Sequence, residues 1–157
     1  MQARRARLRP ARPSDLAAMT GLVRRSKAHW GYPPEFMAHF WSGLAIRQAH
    51  LALGRYVVAR RAGRLVGIVG RRGRALEDLF VAPEAIGSGL GRMLLRWALD
   101  DARRDGILLV LVDSDPHALR FYRRAGGWPV GATPSPWPGD PARRLPRLRL
   151  LTAVRRR

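Results

Sequence analysis

Apolar and polar positions follow two rhythms along this chain, and the change between them is sharpest from residue 76 to residue 106. Leu76 to Val81 is a short apolar run closed by Ala82-Pro83, which reads as a strand. From Leu90 onward, Leu90, Leu94, Trp97 and Ala98 recur at helical spacing, while Arg92, Arg96, Asp100 and Arg103 fall on the opposite face. Asp105-Gly106 supplies a stop for that helix. Between strand and helix lie Gly87, Gly89 and Gly91, which lack a Cβ and let a ligand approach the backbone closely. Free N–H groups at a helix N-terminus make an anion site there.

The same reading extends in both directions. Arg7 to Ala11 predicts a first strand, and Pro13-Ser14-Asp15 a helix start with Ser14 as cap, followed by a stripe of Leu16, Met19, Val23 and Trp30. A second helix begins near Pro34, with Phe36, Met37, Phe40, Trp41 and Leu44 apolar. Arg55 to Arg60 and Leu65 to Arg71 read as two strands joined by Ala62-Gly63, and Arg71-Arg72-Gly73-Arg74 turns the chain into the strand at Leu76. Ile107 to Val112 is a continuous apolar run, expected as a strand buried on both faces. Asp115 is a good N-cap and Pro116 a good first helical residue, with Ala118, Phe121, Tyr122 and Ala125 on one face and Gly126 in the usual stopping place. Trp128 to Ala132 and Leu148 to Val154 are further apolar pieces, and the prolines from Pro134 to Pro141 exclude helix and ladder between them.

Composition narrows the class. A length of 157 residues suits one domain, with a core from about residue 7 to 154. No apolar run approaches a membrane span, the basic start from Met1 to Arg12 lacks the apolar run of a secretion signal, and a cytoplasmic protein is expected. The chain has no cysteine, hence no disulfide framework and no thiolate nucleophile. His29, His39, His50 and His117 show no metal-ligand spacing, and no metal is expected. The formal charge of +19 invites a nucleic-acid reading, but Lys27 is the only lysine among 30 basic residues and the arginines are spread over most segments. That distribution points to solvated faces and to no specific nucleic-acid partner.

Spacing separates three readings of the glycine turn. A nucleotide P-loop needs Gly-Lys-Ser/Thr, and Gly91 is followed by Arg92-Met93. A dinucleotide fingerprint needs G-x-G-x-x-G directly after the strand; here the glycines are spaced G-x-G-x-G after five intervening residues, although Asp113 stands at about the right distance for a ribose acid. The stretch most resembles the acetyl-CoA-binding motif of the GNAT N-acetyltransferases: a strand ending in Val81, Pro83 two residues on, then Gly89 and Gly91 entering a helix. Ile86 stands where that family usually has Gln or Arg. The second motif is similar to that family's Asn/Asp-x-x-Ala-x-x-x-Tyr followed by Gly-Phe, matched by Asp115, Ala118, Tyr122 and Gly126, with Gly127 in place of Phe and His117 in place of an Asn found in one branch. Arg144-Leu145-Pro146 matches a late pattern of the same branch.

The resemblance implies a GNAT fold: α/β, with a mixed, mostly antiparallel sheet whose central parallel strands splay apart, flanked by helices. It implies an acetyl-CoA-dependent N-acetyltransferase acting by direct transfer to a primary amine, small molecule or peptide, without a metal; it leaves room for a homodimer. Acetyl-CoA would lie between the strands 76–81 and 107–112, against Phe80, Val81, Gly87, Ser88, Gly89, Leu90, Gly91, Arg92, Asp115, His117 and Phe121. Tyr122 matches the tyrosine assigned as general acid to the coenzyme A sulfur, and a phenol is protonated at neutral pH. Some members use a Glu six residues ahead of the closing Val; Ala75 stands there, and Glu77 shares its face by period-two alternation, with Asp78 facing the other way. Trp30, Tyr32 and Trp41 would line the acceptor cleft. Two other readings stay open: a noncatalytic coenzyme A-binding module, and a basic nucleic-acid-binding domain.

Overall fold

The computed structural model describes residues 5–153. The expected strand end at Val154 and the arginine tail lie outside them. Among the described residues seven strands form one sheet in the order β1-β2-β3-β4-β5-β7-β6: β1 (Arg7–Pro10), β2 (Arg55–Arg61), β3 (Arg64–Arg72), β4 (Ala75–Val81), β5 (Leu109–Asp113), β6 (Trp128–Pro134) and β7 (Arg144–Leu151). The helices are α1 (Leu16–Ala28), α2 (Pro34–Phe40), α3 (Gln48–Leu53), α4 (Leu90–Arg104) and α5 (Leu119–Arg124). Among the described strands all neighbours run antiparallel except β4 and β5, whose sole ladder pair is Ala75 with Leu111. Beyond that pair the two strands diverge. This is the mixed sheet with splayed central strands that the GNAT fold requires.

Alternation along β3 decides which helix covers which face. A Cβ on Gly67 would come within 2.8 Å of Leu94 and 3.2 Å of Leu90, so Gly67 faces α4 and lets it sit close. α1 packs on the same two central strands, β3 and β4, and therefore takes the opposite face. Met19, Leu22 and Val23 on α1 and Leu94, Leu95, Ala98 and Ala102 on α4 are buried against the sheet. Fully burying a side chain of the Leu or Met class is worth roughly 1.5–3 kcal/mol. α4 is also tied by charge: the buried Arg71 of β3 donates through Nε to Asp101 at 2.9 Å and through Nη2 to Asp105 at 2.5 Å.

Several expectations change. Ser14 is exposed and caps nothing; Asp15 stands at the N-cap of α1 but makes no side-chain bond to the helix, and its carboxylate instead accepts from the Arg12 N–H at 2.8 Å and from Nη1 and Nη2 of Arg9. Arg9 thereby holds the Asp15 carboxyl below its ordinary range. The strand β5 is fully buried on one face only, through Val110 and Val112, with Leu109 and Leu111 half-buried. Pro134, expected in a loop, ends β6 opposite Arg144. β6 is the edge of the sheet, where a missing N–H breaks no ladder. The helix α3 carries no fully buried residue, which is why no apolar stripe announced it.

Candidate active site

The divergence of β4 and β5 opens a cavity of about 1080 Å³ between the two central strands. Since β4 pairs with β5 only at Ala75, the backbone groups of β4 beyond Glu77 on that side have no ladder partner. Val81, which lines the cavity, thus presents a free N–H and C=O to whatever enters, whereas Phe80 turns its own toward Ile68 of β3 and offers the cavity its side chain instead of the backbone expected of it. At the end of β4 the chain turns through Gly87 (φ 80°) and Gly89 (φ 84°), and α4 starts with Gly89 as an uncapped N-cap. The first N–H groups of α4, at Leu90, Gly91 and Arg92, have no partner within the helix. A Cβ at Gly87 or Gly89 would meet nothing within 4 Å, so space in front of the turn is open. A Cβ at Gly91 would crowd Phe121 of α5 at 3.2 Å, which accounts for the third glycine by helix contact.

Gly87, Gly89, Gly91, Arg92 and Phe121 line the cavity as expected. Two of the turn residues do other work. Ser88 returns its hydroxyl to the Ala85 carbonyl at 2.5 Å, and Leu90 is buried in the core beneath the turn. The Ser88 N–H also goes to the Ala85 carbonyl, at 3.2 Å, so of the two only the Leu90 N–H at the start of α4 is left for a ligand. Spacing puts Arg92 and Arg96 on one face of α4, and the fold brings Arg120 and Arg124 of α5 to the same lining, which spacing does not show.

Tyr122 is buried and lines the cavity from α5, and among the described residues nothing hydrogen-bonds its hydroxyl. Burial first, then the negative charges of Asp78 and Asp115, push its pKa well above the ordinary phenol value. The group is a protonated donor without a partner. The neighbouring Gly127 also has a reason: its N–H donates to the Tyr122 carbonyl at 2.8 Å, and a Cβ there would lie 2.7 Å from the same oxygen.

On the α1–α2 side, Asp115 is the centre of a four-residue cluster. It receives the ammonium of Lys27, the hydroxyl of Tyr32 at 2.8 Å and the backbone N–H of His117 at 2.8 Å, with the His117 ring Nδ1 at 2.9 Å. Burial works to raise the Asp115 pKa, but the charge and hydrogen bond of Lys27 outweigh it and bring it down to about 2. For Lys27 burial wins, lowering the pKa against the pull of Asp115. Burial and the bond to Asp115 push Tyr32 up to about 12. Asp115 also caps the turn Pro116–Ala118 that leads into α5, so the cluster fixes the helix carrying Tyr122.

The expected aromatic wall is redistributed. Trp30 lines the cavity and stacks on His117 with ring centres 5.3 Å apart. Tyr32 serves the Asp115 cluster and stacks on Phe36 at 3.9 Å. Trp41 does not reach the cavity: it is 48% exposed and covered by the Arg24 guanidinium 4.0 Å above its ring. Phe36 and Phe40 of α2 take its place.

The two candidate acids also differ from simple alternation. Along β3 the register steps from Gly70 to Arg71, while along β4 it steps from Asp78 to Leu76, so Glu77 is an extra, bulged residue. Glu77 is exposed and lines the cavity. Asp78 is held by the Tyr56 hydroxyl at 2.5 Å, and burial raises its pKa. Asp113, the residue at ribose-acid distance, is occupied by Arg147 at 2.8 Å and Thr133 at 2.9 Å. Among the described residues no group of three His, Cys, Asp or Glu side chains is placed to hold a metal ion. Nor is any described helix long and apolar enough to cross a membrane.

This arrangement has relatives. Residues 52–126 match the family model of the acetyltransferase (GNAT) domain. Peptidyl-lysine N-acetyltransferase YiaC of Escherichia coli (strain K12) is 31% identical over 122 residues, covering 76% of this chain and 81% of that protein. The chain belongs to the GNAT acetyltransferase family. The GNAT fold extends over nearly its whole length: a GCN5-related N-acetyltransferase from Rhodopseudomonas palustris superposes with a TM-score of 0.79 at 21% identity, covering 95% of this chain and 97% of the other. YncA of Salmonella typhimurium, solved with its cofactor acetyl-CoA, superposes with a TM-score of 0.69 at 19% identity over 98% of this chain and 97% of the other.

Proposed function

We propose that this GNAT protein is an acetyl-CoA-dependent N-acetyltransferase that moves the acetyl group directly to a primary amine, with Tyr122 as general acid. The observation that carries the reading is the Tyr122 hydroxyl: protonated, unpartnered among the described residues, and placed in the splay of β4 and β5. The cleft suits the donor. The N–H groups at the start of α4 and the guanidinium groups of Arg92, Arg96, Arg120 and Arg124 fit an anion such as a pyrophosphate. The unpaired β4 edge at Val81 fits an amide-bearing arm. The open space before Gly87 and Gly89 leaves room for close approach.

Acetyl-CoA, when bound, supplies an acyl group activated as a thioester. The protein then has two proton tasks. Glu77, exposed in the β4 bulge, takes the proton of the acceptor ammonium through water, because Asp78 is already engaged by Tyr56. Tyr122 gives its hydroxyl proton to the departing sulfur. His117, Asp115 and Trp30 close the acceptor side. A screen of primary amines with acetyl-CoA, followed by release of free thiol, tests the reading: turnover with at least one amine is expected, and coenzyme A binding without turnover would favour the noncatalytic module.

A further inference from the structure

The acceptor half of the cleft has an unusual charge for a protein that acetylates amines. Lys27 and Arg143 line it from α1 and from the β6–β7 connection, beside the apolar rings of Trp30, Phe36 and Phe40. Asp115 is saturated by Lys27, Tyr32 and His117, and Arg143 has no acidic partner within salt-bridge distance among the described residues. Free amines are cations near neutral pH. Lys27 is balanced by the Asp115 carboxylate, but Arg143 is not balanced, and a plain ammonium brought against its guanidinium is repelled.

Arg143 is placed rather than merely present. Its backbone is pinned by the Ser135 N–H bonded to the Arg143 carbonyl at 2.9 Å, and its Nη1 donates to the Ser135 hydroxyl at 2.7 Å. The guanidinium lies 4.9 Å over the Phe36 ring and 5.5 Å over Phe40. Its Nη2 is buried with no hydrogen-bond partner. A buried donor left unmatched costs free energy that a ligand anion would recover. Arg24 also has an unmatched nitrogen, but it caps Trp41 away from the cleft. The other cleft arginines, Arg92, Arg96, Arg120 and Arg124, sit on α4 and α5, on the side assigned to the donor's phosphates.

We propose that Arg143 is the receptor for an anionic group on the acceptor, so that this enzyme acetylates amines that also carry a carboxylate next to an apolar or aromatic body. The carboxylate takes the fork of Arg143, with Nη2 turning from its enclosed position to meet it, while the apolar body packs on Trp30, Phe36 and Phe40. The amine is left for the splay, where Glu77 and Tyr122 act. This inference rests on the acetyltransferase reading and sharpens it to a substrate class.

Matched amines test it. Aromatic amino acids and their carboxamides are compared as pairs at saturating acetyl-CoA, reading the ratio of kcat/KM for acid over amide. A ratio of roughly 10 to 150 is expected from one charge-assisted hydrogen bond, falling to near one in Arg143→Gln. Arg143→Lys keeps the charge without the fork, so its ratio is expected below wild type; this variant decides if Arg143→Gln does not fold. A wild-type ratio near or below one, or a ratio unchanged in the variants, overturns the proposal while leaving acetyl transfer intact. Should no amine turn over, calorimetry with the coenzyme A-saturated protein decides instead. Binding of phenylpropionate but not phenylpropionamide, lost in Arg143→Gln, upholds the subsite and sinks catalysis; equal binding of the two sinks the subsite.

Discussion

The hydroxyl of Tyr56 on β2 reaches across β3 to donate to Asp78 on β4 at 2.5 Å, passing over Gly70. The register makes this possible: Tyr56 pairs with Gly70 and Gly70 with Asp78, so three residues share one line across the sheet. A Cβ on Gly70 would lie 2.1 Å from the Tyr56 ring. The absent side chain on β3 thus sets which acid of β4 is engaged and which, Glu77, is left to the cleft.

Tyr56→Phe removes the donor and leaves a buried carboxylate short of a partner, at a cost of about 1–3 kcal/mol. Burial already raises the Asp78 pKa and the Tyr56 bond lowers it, so the variant raises it further. An acid whose folded pKa exceeds its unfolded value costs stability as pH rises through that window. Urea denaturation should therefore show a larger deficit at pH 7 than at pH 4. Equal deficits at both would contradict the pairing. Gly70→Ala displaces the ring and should cost roughly 1–3 kcal/mol by overpacking.

Lys27 is the sole lysine, so a single labelled lysine gives one side-chain signal to titrate by NMR. Burial lowers its pKa and Asp115 raises it, so the midpoint should lie below 10.5 in the wild type and lower still in Asp115→Asn. A midpoint at or above the ordinary value, or an upward move in the variant, would contradict the cluster. The same substitution bears on acid stability. With a folded pKa of about 2, Asp115 contributes stability above its unfolded value of roughly 3.9 and loses it as pH falls toward 2. Asp115→Asn should flatten that part of the acid unfolding curve.

Much of this architecture is legible in the sequence where one local signal suffices. The strand at Leu76, the helix from Leu90 and the stop at Gly106 follow from periodicity and a positive-φ glycine at 76°. What escapes are pairings between distant residues. Arg71 reads as part of a polar turn, yet it is buried because Asp101 and Asp105 arrive from α4. Lys27 and Asp115 are 88 residues apart, and no local pattern joins them. The bulge at Glu77 breaks the alternation that assigned it a face. Nothing short of the β3 register shows that. Trp41 follows the helical stripe of α2 but lies one residue past its end, where Arg24 covers it.

The glycine turn gives a test of donor binding. Gly89→Val puts a β-branched side chain at φ 84°, a conformation such residues rarely adopt, and fills the open space in front of the α4 N-terminus. Calorimetry should show acetyl-CoA affinity reduced by roughly tenfold or more, the worth of one charge-assisted hydrogen bond. Unchanged affinity in a variant with an intact circular dichroism spectrum would remove the turn from the site.

The most direct measurement is single-turnover acetyl transfer by Tyr122→Phe. The ring stays packed on α5 and only the unpartnered hydroxyl is lost, so acetyl-CoA affinity and thermal stability should barely change. The chemical step should slow by roughly 10²- to 10⁴-fold, the usual contribution of a general acid. Single-turnover conditions keep product release from masking that loss. A chemical step as fast as in the wild type would assign Tyr122 to the core and contradict the account of the cleft as a proton-donating active site.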